Sequence, residues 1–292
     1  MSKLSLLLFL CIHLLAFDVT QVSYSSHKVA NGNTLLLEFA PQKEIEYLSV
    51  VFDNREFKIY ENPISSEFAY TFVPINYYEK PQNKRFELHY KKSGERKSQT
   101  LLFKVVDGAY KKEVLSVSKE KVNPQDPEVK KRITKEYNEA MKIYATSTAK
   151  NYIDSAFILP LKSEITSEFG KARTYNGSLK GYHSGTDFRA KVGTPIVAAN
   201  SGKVVLVQNR FYSGGSVVID HGRGIYTCYF HMSSFSVNVG DEVQKGEVIG
   251  RSGKSGRVTG PHLHFSARIH GVQVDPMQLI SLVNRNLLKG NN

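Results

Sequence analysis

Short apolar runs interrupted by turn-forming residues dominate the first third of the chain. Six runs rich in Val, Ile, Leu, Phe, Tyr and Thr alternate with polar, glycine-containing or proline-containing pieces such as those at 31–33 and 92–95. Runs of β-branched and aromatic residues bounded by turn signals are typical of β-strands. Their number and spacing predict a small β-sandwich, Ig-like in size, over residues 21–108.

The pattern changes to a helical period beyond this region. Asp126, Pro127 and Glu128 form a typical helix start, with an N-cap, a proline in the first turn and an acid near the positive end. One apolar stripe follows at helical spacing: Val129, Ile133, Tyr137, Met141 and Tyr144. We therefore expect a helix-containing linker over residues 109–155. The helix would either pack between two domains or flank an active-site groove.

The last part of the chain, residues 156–292, returns to short apolar runs, now with many glycines. No long helical period occurs until the segment at 277–288. This pattern predicts a mostly antiparallel β domain. The expected fold class is therefore mainly β, with an N-terminal sandwich, a helical linker and a C-terminal antiparallel β domain.

The N-terminus carries one Lys before an apolar run at 4–16. A run of this length matches the central region of a secretory signal peptide and is shorter than the roughly 20 residues that span a bilayer. Leu14 stands where a small residue would favour cleavage before position 17, so residues 1–20 are predicted to be a signal peptide or a retained inner-membrane anchor. Cleavage would leave Cys228 as the one cysteine and exclude an internal disulfide.

The formal net charge of +12 is shared by both halves of the chain rather than concentrated in a tail. A basic exported protein suits the polyanionic cell envelope. Nucleic acid is the other partner for such a charge, but the sequence contains no helix-turn-helix, RNP or zinc-finger pattern. We therefore expect no nucleic-acid partner, and the oligomeric state stays open.

Two short motifs combine into a candidate metal site. His183 and Asp187 stand four residues apart, so they share a face of an extended segment, and Gly185 lets the backbone between them bend or approach closely. His262 and His264 flank Leu263 on a predicted strand, so both imidazoles share a face. Either motif alone is weak evidence for a metal. Together they offer more imidazole and carboxylate groups than a simple polar surface requires.

Two His and one Asp supply three zinc ligands and leave a fourth position for water, as in catalytic rather than structural zinc sites. Remaining histidines are then free for proton transfer, since the unperturbed pKa of His is about 6.5. Cys228 precedes His231 by three residues and so should face the opposite side of its strand as a buried thiol. His221 lies in a turn signal and is expected to be structural, and His270 precedes Gly271 in another expected turn.

The segments HSGTD, YFHM and GPHLHF, in this order and spacing, resemble the lysostaphin/LytM-type zinc endopeptidases of peptidase family M23. The resemblance covers residues 159–276 and includes the supporting runs SEFGKAR and VGDEVQKGEVIGRSGKSG. It implies that one Zn²⁺ is held by His183, Asp187 and His264. It also implies that His231 and His262 are the catalytic histidines, with His262 as base and His231 as oxyanion stabiliser, or the reverse.

The resemblance further implies a peptidoglycan substrate and a periplasmic location. The absence of an SH3-type or LysM wall-binding module favours D,D-endopeptidase action on D-Ala–diaminopimelate cross-links, with D,D-carboxypeptidase trimming as a second activity. A role in cell-wall remodelling and cell shape would follow. Two alternatives remain: a non-catalytic activator of a cell-wall amidase, and a latent enzyme in which residues 107–155 partly occlude the site.

Overall fold

The computed structural model describes residues 22–63, 68–117, 119–122, 124–177 and 179–287. The predicted signal segment, residues 1–20, lies outside the described residues. Within the described part of the chain, no helix is both long enough and apolar enough to cross a membrane.

Nine strands occupy the N-terminal region as far as the structure describes it, and they form two sheets. The four-stranded sheet has the order β1-β3-β7-β6 and the five-stranded sheet the order β2-β9-β8-β4-β5. All strand pairs in them are antiparallel except β2 and β9. The strands are β1 (Val22–Tyr24), β2 (Lys28–Ala30), β3 (Thr34–Phe39), β4 (Ile45–Phe52), β5 (Arg55–Lys58), β6 (Tyr60–Glu61), β7 (Ala69–Pro74), β8 (Gln82–Lys92) and β9 (Glu95–Val106).

Alternating burial along these strands builds the N-terminal core. On β8, Phe86, Leu88 and Tyr90 point inward while their neighbours are more exposed, as the two-residue period of a strand requires. They share one apolar cluster with Leu35 and Leu37 of β3. The predicted mainly β character is confirmed, while the Ig-like topology stays a prediction.

The middle of the chain contains β10 (Lys112–Leu115), α1 (Lys119–Val122) and α2 (Pro127–Tyr144). Asp126 is the N-cap of α2, and its carboxylate accepts a hydrogen bond from the backbone N–H of Glu128 at 2.8 Å. The predicted helix start is therefore confirmed. Strand β10 was not predicted within the linker.

The predicted apolar stripe of α2 is wrong at Tyr137, whose side chain is 61% exposed. The buried residues of α2 are Glu136, Ala140 and Tyr144. Glu136 is buried because its carboxylate accepts the backbone N–H of Phe211 at 2.9 Å and pairs with Arg132 at 2.7 Å. The spacing of apolar residues does not reveal a buried helix face that is centred on a charged side chain.

Helix α2 packs on the outer face of the C-terminal sheet. Ala140 and Tyr144 share an apolar cluster with Val218, Tyr226 and Cys228. The Cys228 thiol is fully buried and lies 3.3 Å from the Tyr144 hydroxyl, which confirms the expected core thiol.

Most regular elements of the C-terminal region are strands. They are β11 (Ile165–Ser167), β12 (Ala172–Tyr175), β13 (Leu179–Tyr182), β14 (Thr186–Arg189), β15 (Pro195–Val197), β16 (Gly202–Arg210), β17 (Gly214–Asp220), β18 (Ile225–Phe235), β19 (Glu242–Val243), β20 (Val248–Ser252), β21 (His262–Ile269) and β22 (Val272–Val274). Helix α3 (Pro276–Leu282) and a π-helical turn (Val283–Leu287) follow.

Ten of these strands form one antiparallel sheet with the central order β11-β14-β21-β18-β17-β16-β19. Its inner strand β17 is buried along its whole length. Val217 and Ile219 face the main core, and Val218 faces α2. A second, three-stranded sheet has the order β10-β12-β13, in which β10 runs parallel to β12. The upstream segment thus contributes a strand beside the C-terminal sheet.

The N-terminal sheets pack directly against the C-terminal region. Leu36 of β3 is buried in the main C-terminal core, and the Gln278 side-chain amide makes hydrogen bonds of 3.0 and 2.9 Å to both backbone groups of Thr34. The Tyr77 ring stacks on Tyr182 with centroids 3.8 Å apart. Because Tyr182 directly precedes His183, the N-terminal sheets support the segment that carries one candidate ligand.

His221 is a fully buried histidine of this fold. Its Nδ1–H donates to the Ser201 carbonyl at 2.7 Å, and its Nε2 lies 2.8 Å from the Thr227 hydroxyl. Burial lowers the pKa of His221 to about 4, and the hydrogen bond to Ser201 opposes this only in part. The imidazole is therefore neutral in the folded protein at neutral pH, as expected for a structural histidine.

This pKa shift predicts a pH-dependent loss of stability. In the unfolded chain His221 takes up a proton near pH 6.5, whereas in the folded protein it stays neutral until about pH 4. Its contribution to the free energy of unfolding is therefore fully present above pH 6.5 and is lost as the pH falls towards 4. Between pH 7 and pH 5, the free energy of unfolding should fall by roughly 2 kcal/mol more in the parent than in His221→Asn. Denaturant unfolding of the chelator-treated proteins measures this difference. The exposed His27→Asn variant is the matched control, and parallel pH profiles for the parent and His221→Asn would contradict the assignment.

Candidate metal centre and active site

Adjacent strands β14 and β21 bring the two sequence motifs together. Their antiparallel register places Asp187 opposite His264 and Arg189 opposite His262. His183 lies just before β14, where its backbone N–H donates to Lys171 and its carbonyl accepts from Gly170, both at 2.8 Å. The predicted grouping of His183, Asp187 and His264 is therefore present in the fold.

Three atoms of this group form a tight triangle. His183 Nε2 lies 2.9 Å from Asp187 Oδ1 and 3.0 Å from His264 Nδ1, and His264 Nδ1 lies 2.8 Å from Asp187 Oδ1. All three side chains are buried. Their candidate ligand atoms lie within 4.8 Å of one another.

Gly185 permits this close approach. A Cβ at this position would lie 2.4 Å from the Phe265 carbonyl oxygen and 2.6 Å from His264 Nε2. Any side chain larger than hydrogen would push the His183–Asp187 segment away from the His264 ring. These two contacts explain why a glycine stands between the two candidate ligands.

The tautomer of His183 follows from its second nitrogen. His183 Nδ1 lies 2.7 Å from the Glu168 carbonyl oxygen, which can only accept a hydrogen bond. The proton of a neutral ring therefore sits on Nδ1, and the lone pair of Nε2 points at Asp187 Oδ1. Two lone-pair-bearing atoms 2.9 Å apart in a buried site repel each other unless a proton or a metal cation lies between them.

The chemistry of the group fits a zinc ion. Imidazole nitrogen and carboxylate oxygen are ordinary zinc donors, and two His with one Asp leave a coordination position open. The backbone hydrogen bond on the far nitrogen of His183 is also the usual outer contact of a zinc-bound histidine. The site residues thus match the cofactor that the motifs predict.

Electrostatics keep Asp187 and His264 in their metal-binding protonation states. Burial disfavours the charged Asp187 carboxylate, but the contacts with His183 and His264 outweigh it and hold the pKa of Asp187 well below its ordinary value. Burial lowers the pKa of His264 to about 4 despite the opposing effect of Asp187. A carboxylate and neutral imidazoles are the forms that bind metal.

His231 and His262 lie beside this triangle with their ring centroids 4.8 Å apart. His231 Nδ1 contacts the Ser255 carbonyl at 2.8 Å, and His262 Nδ1 contacts the Gly260 carbonyl at 2.9 Å. Each Nδ1 therefore carries a proton in the neutral ring, which leaves Nε2 as an acceptor. His262 Nε2 lies 3.6 Å from Asp187 Oδ1.

The backbone of His231 adopts an uncommon conformation. Its φ of 63° lies in the left-handed region, which non-glycine residues adopt infrequently. Its N–H donates to the Ser213 carbonyl at 2.8 Å, and the register of β18 shifts just beyond it, between Met232 and Ser234. Strain of this kind is often stored at functional sites, and here it places an imidazole beside the candidate ligands.

A cavity of about 280 Å³ opens over these groups. Asp187, His231, His262 and His264 line it together with residues of four neighbouring segments. These are Glu113, Leu115 and Val117 from the β10 segment, Thr166 and Ser167 from β11, Arg173 and Tyr175 from β12, and Arg257, Val258, Thr259, Gly260 and Pro261 from the loop before β21.

Arg173 and Glu113 were not singled out from the sequence. Arg173 donates to Asp187 Oδ2 at 3.3 Å and to Ser167 Oγ at 3.1 Å, and its Nε donates to Glu113 Oε2 at 2.7 Å. It thereby orients the Asp187 oxygen that lies outside the triangle. Arg173 stands in the SEFGKAR run, but nothing in the spacing links it to Glu113, which is brought near only by the parallel pairing of β10 with β12.

The family model described as peptidase family M23 matches residues 181–276. Among curated relatives, peptidoglycan DD-endopeptidase ShyA of Vibrio cholerae is 45% identical over 96 residues, which is 33% of this chain and 22% of that protein. DD-carboxypeptidase/endopeptidase Mpg of Neisseria meningitidis is 43% identical over 97 residues, again 33% of this chain and 22% of that protein. The aligned segment thus spans about a fifth of the length of these curated relatives.

A crystal structure from Pseudomonas aeruginosa, described as a peptidase M23, matches with a TM-score of 0.65 and 23% identity. The match covers 86% of this chain and 94% of that chain, so the two share their fold over nearly the whole length. The matched family segment contains all five residues that the sequence motifs singled out. The chain therefore contains a peptidase M23 domain, which includes residues 181–276.

Proposed function

We propose that this protein is a zinc-dependent peptidoglycan hydrolase with D,D-endopeptidase activity on D-Ala–diaminopimelate cross-links. The observation that carries the proposal is the triangle of His183 Nε2, Asp187 Oδ1 and His264 Nδ1, with two further acceptor imidazoles in the same cavity. The names of the similar Vibrio and Neisseria proteins support the substrate class. The Neisseria name also supports D,D-carboxypeptidase trimming as a second activity.

The roles that we assign follow from the donor atoms. His183, Asp187 and His264 would hold the ion. A zinc ion held there would lower the pKa of a bound water towards about 7 and would polarise the scissile carbonyl. His231 and His262 have their Nδ1 protons tied to backbone carbonyls, so each can receive a proton only at Nε2.

Proton transfer is assigned to His262 and oxyanion stabilisation to His231. His262 Nε2 lies close to the ligand triangle, 3.6 Å from Asp187 Oδ1. A ring that has gained a proton at Nε2 can then donate to the oxyanion or to the leaving amine. His231 must gain a proton at Nε2 before it can donate a hydrogen bond to the oxyanion from that atom. An exchange of the two roles is the alternative assignment.

The location that we propose is the periplasm. The apolar run near the N-terminus matches a signal segment, and peptidoglycan lies outside the inner membrane. An uncleaved segment would hold the protein at the inner membrane with its candidate active site in the periplasm.

The function is tested by digestion of purified, cross-linked sacculi. We expect the protein to release monomeric muropeptides, to lose this activity with a chelator and to regain it with Zn²⁺. His231→Ala and His262→Ala should keep one zinc per chain but lose about 100-fold or more of the turnover, because each removes a proton-transfer or charge-stabilising group. Muropeptide chromatography and metal analysis are the measurements.

The exposed His27→Ala variant is the matched control and should behave as the parent does. Stoichiometric zinc without any bond cleavage would favour the alternative of a non-catalytic amidase activator. Loss of zinc in His231→Ala or His262→Ala would contradict the division between ligands and catalytic residues.

We further propose that the upstream segment, residues 107–155, partly occludes the site. Leu115 and Val117 line the cavity, and Glu113 pairs with Arg173 at 2.7 Å. The Asn176 side chain contacts both backbone groups of Val117, accepting from its N–H at 3.0 Å and donating to its carbonyl at 2.8 Å. These contacts would hold the segment along one wall of the groove.

Loosening this contact should raise activity. Asn176→Gly removes both side-chain hydrogen bonds while it tolerates the positive φ of 49° at this position. Because each bond contributes about 1 kcal/mol, kcat/KM on cross-linked muropeptides should rise by a few-fold to about tenfold. Asn176→Asp keeps the acceptor and is the partial control. Unchanged or reduced activity at equal zinc content would contradict occlusion.

A further inference from the structure

Arg257 lies between two tyrosine rings at the rim of the candidate active site. Its guanidinium carbon is 4.5 Å from the ring centroid of Tyr175 and 4.7 Å from that of Tyr212. The residue lines the cavity that contains His231 and His262. It also lines the adjoining cavity beside His183.

The loop at 253–260 fixes the position of Arg257. The Arg257 N–H donates to the Tyr212 carbonyl at 2.8 Å. Gly256 has a φ of 80°, and a Cβ there would lie 2.4 Å from the same carbonyl oxygen. Ser255 Oγ donates to the Met232 carbonyl at 2.8 Å. The guanidinium is therefore held by a tight backbone contact and two aromatic faces.

The charge of Arg257 is not compensated within the described part of the chain. Its guanidinium makes no ion pair and no side-chain hydrogen bond to any residue described here. The other arginine of the cavity, Arg173, is engaged by Glu113, Asp187 and Ser167. Arg257 thus keeps its N–H donors available to a ligand in the cavity, and a planar guanidinium is suited to bidentate binding of a carboxylate.

The chemistry of the proposed bonds supplies such a carboxylate. In a D-Ala–diaminopimelate cross-link, the carbon that bears the scissile nitrogen also bears a free carboxylate. A terminal D-Ala–D-Ala bond has the same feature. A peptide that continued beyond the scissile bond would carry a neutral amide at this position.

We propose that Arg257 binds the free carboxylate next to the scissile bond and thereby restricts the enzyme to D,D bonds of this kind. The proposal rests on the proposed function. One residue then accounts for both endopeptidase and carboxypeptidase specificity, because the two bonds share the group that Arg257 recognises. The two tyrosine rings hold the guanidinium in place, so little side-chain freedom is lost on binding.

The test uses a cross-linked muropeptide dimer in two forms, with the diaminopimelate carboxylate beside the scissile bond either free or amidated. The zinc-loaded, full-length protein should cleave the amidated dimer with a kcat/KM at least about 30-fold lower, mainly through KM. Arg257→Gln should cleave the free dimer as slowly as the parent cleaves the amidated one. It should not distinguish the two forms, and Arg257→Lys should keep part of the preference.

Arg251→Gln is the matched control, because it removes the same charge from an exposed arginine outside the cavity, and it should retain the parental preference. Equal rates on both dimers for the parent, or an undiminished preference in Arg257→Gln, would overturn the proposal. If the parent cleaves neither dimer, the proposed function itself fails. Zinc content and thermal stability show whether each variant has folded. If Arg257→Gln does not fold, the ratio of the parental kcat/KM values on the free and the amidated dimer decides the test.

Discussion

The close approach of three buried ligand atoms in the His183, Asp187 and His264 triangle is the constraint on which the site depends. The atoms lie about 3 Å apart, and the Glu168 carbonyl favours the neutral His183 tautomer that turns a lone pair towards the carboxylate. Such an arrangement is stable only with protons or a metal cation between the atoms. The register of β14 with β21, the missing side chain at Gly185 and the Arg173 contact to Asp187 all preserve it.

A second set of constraints positions the groups around the triangle. Backbone carbonyls of the loop at 253–260 accept hydrogen bonds from the Nδ1–H groups of both His231 and His262. The same loop carries Arg257. The proposed proton transfer and the proposed substrate recognition would therefore both depend on one short segment. This segment is itself anchored to β17 and β18 through Ser255. A change in the loop would be expected to affect both functions together.

The sequence was sufficient to predict what repeats with a regular period. Strand alternation explains why His262 and His264 share a face and why the six apolar runs of the N-terminal region became strands. The contacts that were missed have no period. Glu136 is buried on α2 through an ion pair, so the expected stripe through Tyr137 was wrong. Glu113 reaches Arg173 only because β10 pairs in parallel with β12, and the unpaired state of Arg257 is visible only once its neighbours are placed.

X-ray absorption spectroscopy of the zinc-loaded protein tests the central claim most directly. We expect one zinc per chain with two imidazole nitrogens and one carboxylate oxygen among its ligands, at about 2.0–2.2 Å. We also expect loss of one imidazole contribution or of the metal in His264→Ala. A sulfur ligand from Cys228, or a spectrum that is unchanged by His264→Ala, would contradict that claim.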